Sequence, residues 1–161
     1  MAFVPREIRD VRMKRLGRDL ALLYPGPSGW WEDGDLSVAR RRQGRDRDLA
    51  VVEQVDAADQ MLINRLKTHQ GELTPLGHPE YGSRHHTLIG EPNVERTRRL
   101  IKLYVLEALS HEPRIEKVLA CTVAAAHDPP RDLVRIEISV KLIDADTPRN
   151  LVIPFMPEST P

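Results

Sequence analysis

The feature that most restricts the fold is a strict alternation of apolar and polar residues near the C-terminus. The apolar positions are Val134, Ile136, Ile138, Val140 and Leu142, and they alternate with Arg135, Glu137, Ser139 and Lys141. Successive side chains of a β-strand point to opposite faces, so the pattern predicts a strand with one buried and one solvent-exposed face. This is typical of antiparallel sheets, because strands of parallel sheets are usually buried on both faces.

Two neighbouring segments complete the predicted sheet. Residues 118–126 are small or β-branched and predict a strand that ends at a proline-rich turn, 128–132. We expect the remaining strands at 132–143 and 150–156. Pro154 lies in the last of them, and a proline favours the edge of a sheet because it cannot donate a backbone hydrogen bond.

Upstream, the apolar period lengthens to three and four residues, which predicts two amphipathic helices. The first has its apolar face at Val55, Ala58, Leu62, Leu66 and His69, with Asp56 as the candidate N-cap and Gly71 as the terminator. The second begins near Pro92 or Asn93 and ends near Ser110, and its predicted buried face is Val94, Leu100, Ile101, Tyr104, Val105, Ala108 and Leu109. The predicted fold class is therefore α+β: two amphipathic helices packed on a small antiparallel sheet, with an N-terminal extension.

Length and composition restrict the class of protein further. The 161 residues suit one domain, 49–161, preceded by an extension, 1–48. Lys and Arg number 24, as do Asp and Glu, which removes the simplest argument for a nucleic-acid or anionic-membrane partner. The single cysteine, Cys121, suits a reducing compartment. Residues 1–15 are charged throughout, unlike a secretory signal, and no apolar run is long enough to span a membrane.

The extension contains two features without an assigned role. Trp30 and Trp31 are adjacent in a turn-rich segment, and either one of them packs on the domain surface or the pair is an anchor into a partner protein. The short apolar runs that begin at Asp19 and Asp48 resemble each other. Two short matches do not establish an internal repeat.

The polar residues of the central loop invite an enzymatic interpretation. Six residues whose side chains can bind a metal lie from position 69 to position 86: His69, Glu72, His78, Glu80, His85 and His86. Their spacing fits neither helical pairs nor tight turns that converge on zinc, so we expect no metal and no cofactor. A glycosidase needs two carboxylates across a cleft, and Glu72, Glu80 and Glu112 are the candidates. Nothing in the sequence places any two of them face to face.

Glu112, Pro113 and Arg114 form a corner between the second helix and the sheet. Pro113 cannot continue a helix and biases Glu112 away from helical angles. One interpretation is an intramolecular ion pair, worth ~0–1 kcal/mol if it is exposed. The other is an arginine fork presented to a partner. The residue types alone leave both interpretations open.

The ordered set of motifs resembles the sheath-initiator wedge family of contractile phage baseplates, type VI secretion baseplates and contractile injection systems. The matching motifs are Asn64-Arg65-Leu66-Lys67-Thr68 with Gly71-Glu72, His78-Pro79-Glu80-Tyr81-Gly82-Ser83, Glu107-Ala108-Leu109 and Glu112-Pro113-Arg114. The resemblance covers about residues 49–157, and residues 1–48 carry little of it.

The resemblance implies a non-enzymatic structural protein that joins the baseplate wedge to the first sheath ring and initiates sheath assembly. It implies six copies in a ring, assembled in the cytoplasm into a phage tail or injection particle. The expected partners are other wedge proteins, the sheath protein, and inner-tube or hub proteins, without nucleic acid. Members of the family were once described as lysozymes, which makes a peptidoglycan-cleaving hydrolase the alternative.

The resemblance also assigns roles to residues. Glu112, Pro113 and Arg114 would grip the helical core bundle of neighbouring wedge subunits. The C-terminal sheet would accept extended arms of the sheath protein by β-augmentation. Its sheath-docking residues would be Val134, Ile136, Ile138, Leu151, Val152 and Ile153, and the tight loop at Gly82 and Ser83 would shape the surface between the two contacts.

Overall fold

The structure of the protein is a computed structural model that describes residues 14–23, 35–40, 47–125 and 133–155. The chain divides into two compact units, Met1–Gln60 and Met61–Pro161. Helix α1, Gln54–Lys67, begins in the first unit and ends in the second. The proposed division at residues 48 and 49 stays a prediction.

The described residues of the first unit include three extended segments, each broken into two short strands. In chain order the strands are β1 Arg18–Leu20, β2 Leu22–Leu23, β3 Asp35–Leu36, β4 Val38–Arg40, β5 Arg47–Leu49 and β6 Val51–Glu53. The pairs β1–β6, β2–β3 and β4–β5 are antiparallel. Each extended segment therefore pairs with both of the others. We call residues 18–23, 35–40 and 47–53 the β-triangle.

The centre of the β-triangle is a closed ring of backbone hydrogen bonds. Ala21 N–H donates to Ala50 O, Ala50 N–H to Ser37 O, and Ser37 N–H to Ala21 O, each at 2.8 Å. Each of these residues follows an Asp-Leu pair. The carboxylates of Asp19, Asp35 and Asp48 accept the N–H of the following leucine at 2.8, 2.8 and 2.9 Å.

These equivalences establish a threefold internal repeat, Asp-Leu-(Ala/Ser)-(Leu/Val), at residues 19–22, 35–38 and 48–51. The sequence analysis recognised two of its members and did not infer a repeat. The third member was missed because Ser37 replaces alanine and because strands of two or three residues are too short to show a period. Gln60 of α1 completes the first member: its amide accepts from Leu22 N–H and donates to Leu20 O, both at 2.8 Å.

The second unit is the predicted α+β arrangement. The C-terminal half of α1 leads into two short 3-10 helices, Thr74–Leu76 and Arg84–Leu88, and then into helix α2, Glu95–Ser110. Helix α2 packs on strand β7, Ile115–Ala125, which pairs with β8, Val134–Leu142. Strand β9, Arg149–Phe155, completes the sheet in the order β7-β8-β9, antiparallel throughout.

The alternation in β8 is confirmed, since all five of its predicted apolar positions are buried.

The ends of the helices and of strand β7 differ from the prediction. Helix α1 begins at Gln54, which puts Asp56 in the first turn rather than at the N-cap, and it ends at Lys67, which leaves His69 exposed. Val94 precedes α2 as its N-cap and is exposed. Strand β7 begins at Ile115, earlier than predicted, and two register shifts interrupt its pairing with β8 between Ile115 and Ala120.

Candidate functional site

The Glu112-Pro113-Arg114 corner is a tight turn between α2 and β7. Glu112 N–H donates to Leu109 O at 3.1 Å, and Ile115 N–H donates to Glu112 O at the same distance. Pro113 lies exposed on the turn. Ile143 N–H donates to Arg114 O at 2.9 Å, which ties the corner to the residues after β8. The backbone of all three corner residues is thereby held in one conformation.

The Glu112 side chain points inward and pairs with Arg65 of α1. Arg65 Nη2 donates to Glu112 Oε2 at 3.2 Å, and the two side chains are only 9% and 5% exposed. An exposed ion pair adds little to the stability of a fold, whereas breaking a buried pair is strongly destabilising. Removal of either partner would leave the other as an uncompensated buried charge.

Sequence reasoning did not find Arg65 as the partner of Glu112. The two residues are 47 positions apart, and no local pattern connects them. One signal was present: Arg65 lies beside Leu62 and Leu66, on the face of α1 that the periodicity predicts to be buried. A charged residue on such a face requires a buried partner of opposite charge.

Arg114 is the corner residue whose side chain reaches the surface. Its backbone N–H donates to Glu112 Oε1 at 3.2 Å, and its Nε lies 3.7 Å from the same oxygen. Its side chain is 37% exposed. Glu112 thus has its two carboxylate oxygens occupied by different arginines, and one of those arginines is accessible from outside.

A cavity of about 350 Å³ adjoins the corner. Its lining residues are Arg65, Gly77, His78, Pro79, Glu80, Tyr81 and His111. The guanidinium carbon of Arg65 lies 4.5 Å from the centroid of the Tyr81 ring, a cation–π distance. The His78-Pro79-Glu80-Tyr81 motif and the corner are distant in sequence, and Arg65 brings them together.

Gly82 allows the loop after Tyr81 to return against the end of α1. Ser83 N–H donates to Thr68 O at 2.9 Å, and Gln70 N–H donates to Ser83 O at 3.3 Å. Gly82 has a φ of 101°, and a Cβ atom there would lie 2.6 Å from Thr68 O. Both the backbone angle and the close approach therefore require glycine.

Three of the six loop residues considered as metal ligands form a ring stack. The centroids of His69 and His86 are 4.1 Å apart, as are those of His85 and His86, and His85 packs edge-on against Phe155 of β9 at 4.7 Å. In the described part of the chain, no group of three or more His, Cys, Asp or Glu side chains is placed to hold a metal ion.

Burial favours the neutral form of two of the stacked rings, His85 and His86. Burial lowers the pKa of His85 to about 3, with the neighbouring His86 and His69 as further causes. Burial also lowers the pKa of His86, opposed by its hydrogen bond to Leu66 O and by Glu72. His86 Nε2 lies 2.8 Å from Leu66 O and His85 Nδ1 lies 2.8 Å from Ser83 Oγ, so each ring has a fixed partner.

Acidification is expected to destabilise the fold through His85. An unfolded chain binds a proton at this residue below its ordinary pKa of 6.5, whereas the folded protein does so only near 3. Stability is therefore complete above pH 6.5 and decreases toward pH 3, by about 2 kcal/mol for this group between pH 7 and pH 5. Urea denaturation at the two pH values measures the loss.

The comparison variants for this experiment are His85→Gln and His78→Gln. The first removes the buried titrating group and should flatten the change between pH 7 and pH 5, whereas the second alters an exposed histidine and should not. An equal pH dependence in the protein and in His85→Gln would show that other groups cause the acid sensitivity.

The predicted sheath-docking residues divide into two groups. Val134, Ile136, Ile138, Leu151 and Ile153 are buried, and Val152 is 44% exposed. A partner could therefore meet this sheet through the Val152 face or through the backbone of an edge strand. Trp30 and Trp31, the candidate anchor, lie outside the described residues.

The fold of this chain is similar to that of a protein of solved structure. The crystal structure is described as that of a candidate tail lysozyme from Geobacter sulfurreducens. The match has a TM-score of 0.54 and 27% sequence identity, and it covers 65% of this chain and 94% of the other. None of the curated proteins compared gives a significant match.

The family follows from a second comparison. Residues 53–147, more than half of the chain, match the model of the baseplate wedge protein gp25 family, and the chain belongs to that family. It is therefore a structural component of a phage-tail baseplate that assembles with other baseplate proteins. Among the described residues, no helix is long and apolar enough to cross a membrane.

Proposed function

We propose that this chain links the baseplate wedge to the first ring of the sheath, initiates sheath assembly and has no enzymatic role. The observation that carries the proposal is the geometry of the corner, where a buried carboxylate holds a surface-accessible arginine. The part of the Arg114 side chain that reaches the surface is available to a partner. In this proposal six copies of the chain surround the inner tube.

The wedge contact is assigned to the corner, with different roles for its residues. Glu112 is buried, so its part is to position Arg114 through the backbone N–H and the side chain. Pro113 is exposed and stiffens the turn. Arg114 offers a planar fork of donors that suits carboxylates or backbone carbonyls on a partner helix bundle.

The sheath contact is assigned to β9. Within the described residues, this strand has a neighbouring strand, β8, on one side only. Such an edge accepts an added strand, and the exposed side chain of Val152 offers an apolar contact to it. Pro154 limits the added strand to the part of the edge that precedes it.

The burial of the Glu112 side chain argues against a peptidoglycan hydrolase. A glycosidase needs its two carboxylates exposed to the sugar. The Glu112 carboxylate is 5% exposed and faces two arginines. Of the other two candidates, Glu72 accepts the backbone N–H of His69 at 3.1 Å, and Glu80 lines the cavity beside Arg65.

Arg114→Ala tests the wedge contact. The free energy of unfolding of the variant should lie within about 1 kcal/mol of that of the unaltered protein, because the Arg114–Glu112 ion pair that it loses is long and partly exposed. Particles assembled with it should lack sheath, as judged by electron microscopy, and purified wedge proteins should no longer retain it. Arg96→Ala, an exposed arginine on α2, is the matched control and should assemble normally. Sheathed particles formed with Arg114→Ala would remove the proposed role.

A further inference from the structure

Each member of the threefold repeat has one backbone carbonyl and one backbone N–H that point out of the β-triangle. In an antiparallel pair, residues that exchange backbone hydrogen bonds alternate with residues whose N–H and C=O groups point away from the partner strand. Ala50 N–H donates to Ser37 O, which fixes this alternation for strands β4 and β5. The next opposed residues, Val38 and Leu49, therefore direct their N–H and C=O groups outward.

The same alternation holds in the other two strand pairs, because Ser37 N–H donates to Ala21 O and Ala21 N–H donates to Ala50 O. In every member of the repeat, the leucine C=O and the N–H of the residue two positions later consequently point outward. We call these two groups the outer pair of that member. The three outer pairs are Leu20 O with Leu22 N–H, Leu36 O with Val38 N–H, and Leu49 O with Val51 N–H.

The first outer pair is filled by the side-chain amide of Gln60 in helix α1. Gln60 Oε1 accepts from Leu22 N–H, and Gln60 Nε2 donates to Leu20 O, both at 2.8 Å. A side-chain amide matches such a pair because it carries a carbonyl acceptor beside an NH₂ donor. Gln60 is buried, so the contact is shielded from water.

The second and third outer pairs have no such amide. In the described part of the chain, no side chain forms a hydrogen bond with either of them. The side chains beside them are open as well: Val38 is 55% exposed and Val51 is 39% exposed, whereas Leu22, at the equivalent position of the first pair, is half-buried. Both pairs therefore combine unfilled hydrogen-bonding groups with an exposed aliphatic side chain.

We propose that the second and third outer pairs each bind the side-chain amide of a glutamine on a helix of another protein. The first pair shows the required chemistry, because Gln60 reaches it from a helix. The repeat gives all three pairs the same backbone arrangement and an aliphatic residue, leucine or valine, at the position of the N–H.

An added antiparallel strand fits these pairs less well than a side-chain amide. Such a strand exchanges hydrogen bonds with both the N–H and the C=O of one residue. The N–H groups of Leu36 and Leu49 already donate to the carboxylates of Asp35 and Asp48, at 2.8 and 2.9 Å. The proposal also goes beyond the wedge and sheath contacts, because the β-triangle contains neither the corner nor β9.

A peptide with the sequence of α1, Gln54–Lys67, is the probe for this binding. It is cross-linked to hold it helical, which circular dichroism verifies, because a free peptide of this length is a marginal helix. The peptide carries Gln54→Ala and Asn64→Ala, so that Gln60 supplies its only side-chain amide. The matched control peptide carries Gln60→Ala in addition.

Nuclear magnetic resonance of the isotope-labelled full chain measures the result. At millimolar concentration the probe should shift the N–H signals of Val38 and Val51, and the control peptide should shift neither. Leu22 N–H should stay unshifted, because the chain's own Gln60 fills that pair. Gln60→Ala in the full chain, with its fold checked by circular dichroism, should make Leu22 N–H respond to the probe as well.

Unshifted Val38 and Val51 signals in the unaltered chain would overturn the proposal. Equal shifts with the probe and the control peptide would do so too, because apolar contact alone would then explain the binding. Slow hydrogen exchange of both N–H groups in the chain alone would show that the chain itself fills the pairs. Shifts that depend on the concentration of the chain without any peptide would assign the pairs to a second copy, again contrary to the proposal.

Discussion

Replacement of Arg65 by methionine is expected to lower the free energy of unfolding by about 3–5 kcal/mol. The substitution preserves much of the side-chain volume but leaves Glu112, whose side chain is 5% exposed, without its nearest cation. Arg114 Nε, at 3.7 Å and partly in water, compensates only a small part of that charge. Urea denaturation, with the midpoint and slope both fitted, measures the change.

Two further variants show whether the unpaired carboxylate is the cause. Arg99→Met removes an exposed pair with Glu95 and should leave the midpoint of unfolding almost unchanged. The double variant Arg65→Met with Glu112→Leu should recover much of the lost stability, because a buried ion pair replaced by apolar residues is often near neutral. A double variant as unstable as Arg65→Met alone would place the loss in the packing of Arg65 on Tyr81 instead.

Gly82→Ala is expected to lower the free energy of unfolding by about 3 kcal/mol or more, a loss similar to that of Arg65→Met. An alanine at this position would hold a left-handed backbone angle, and its Cβ would lie 2.6 Å from Thr68 O and 2.8 Å from His69 O. Those neighbours are backbone atoms that cannot move independently, so the strain of the angle and the overlap add together. Thermal and urea unfolding measure the loss.

Gly77→Ala separates the two contributions. Gly77 has a φ of 86°, close to that of Gly82, but nothing lies within 4 Å of its added Cβ. It should cost only the backbone penalty of about 1–2 kcal/mol. Equal losses at the two positions would show that the loop at Gly82 moves away from α1 at little cost.

The parts of the fold that depend on neighbouring residues could be predicted from the sequence. The alternation from Val134 to Leu142 and the helical spacing around Leu62 and Ile101 indicated the α+β class, because the spacing of apolar residues follows the period of the strand or helix whose face is buried. The corner motif also singled out Arg114 from the sequence. The helix ends were less accurate, since the end of α1 depends on the contact of Gly82 with Thr68.

The sequence by itself determined the three long strands, the two helices, most of their buried faces and the presence of a stiff charged corner, since each follows from residues within a few positions of one another. Only the tertiary structure decided that Glu112 faces Arg65 and that three Asp-Leu segments close into the β-triangle. Both are contacts between residues far apart in the chain. The type of a residue indicates what kind of partner it needs, such as an opposite charge or a strand edge. Which residue becomes that partner depends on how the folded backbone brings distant segments together.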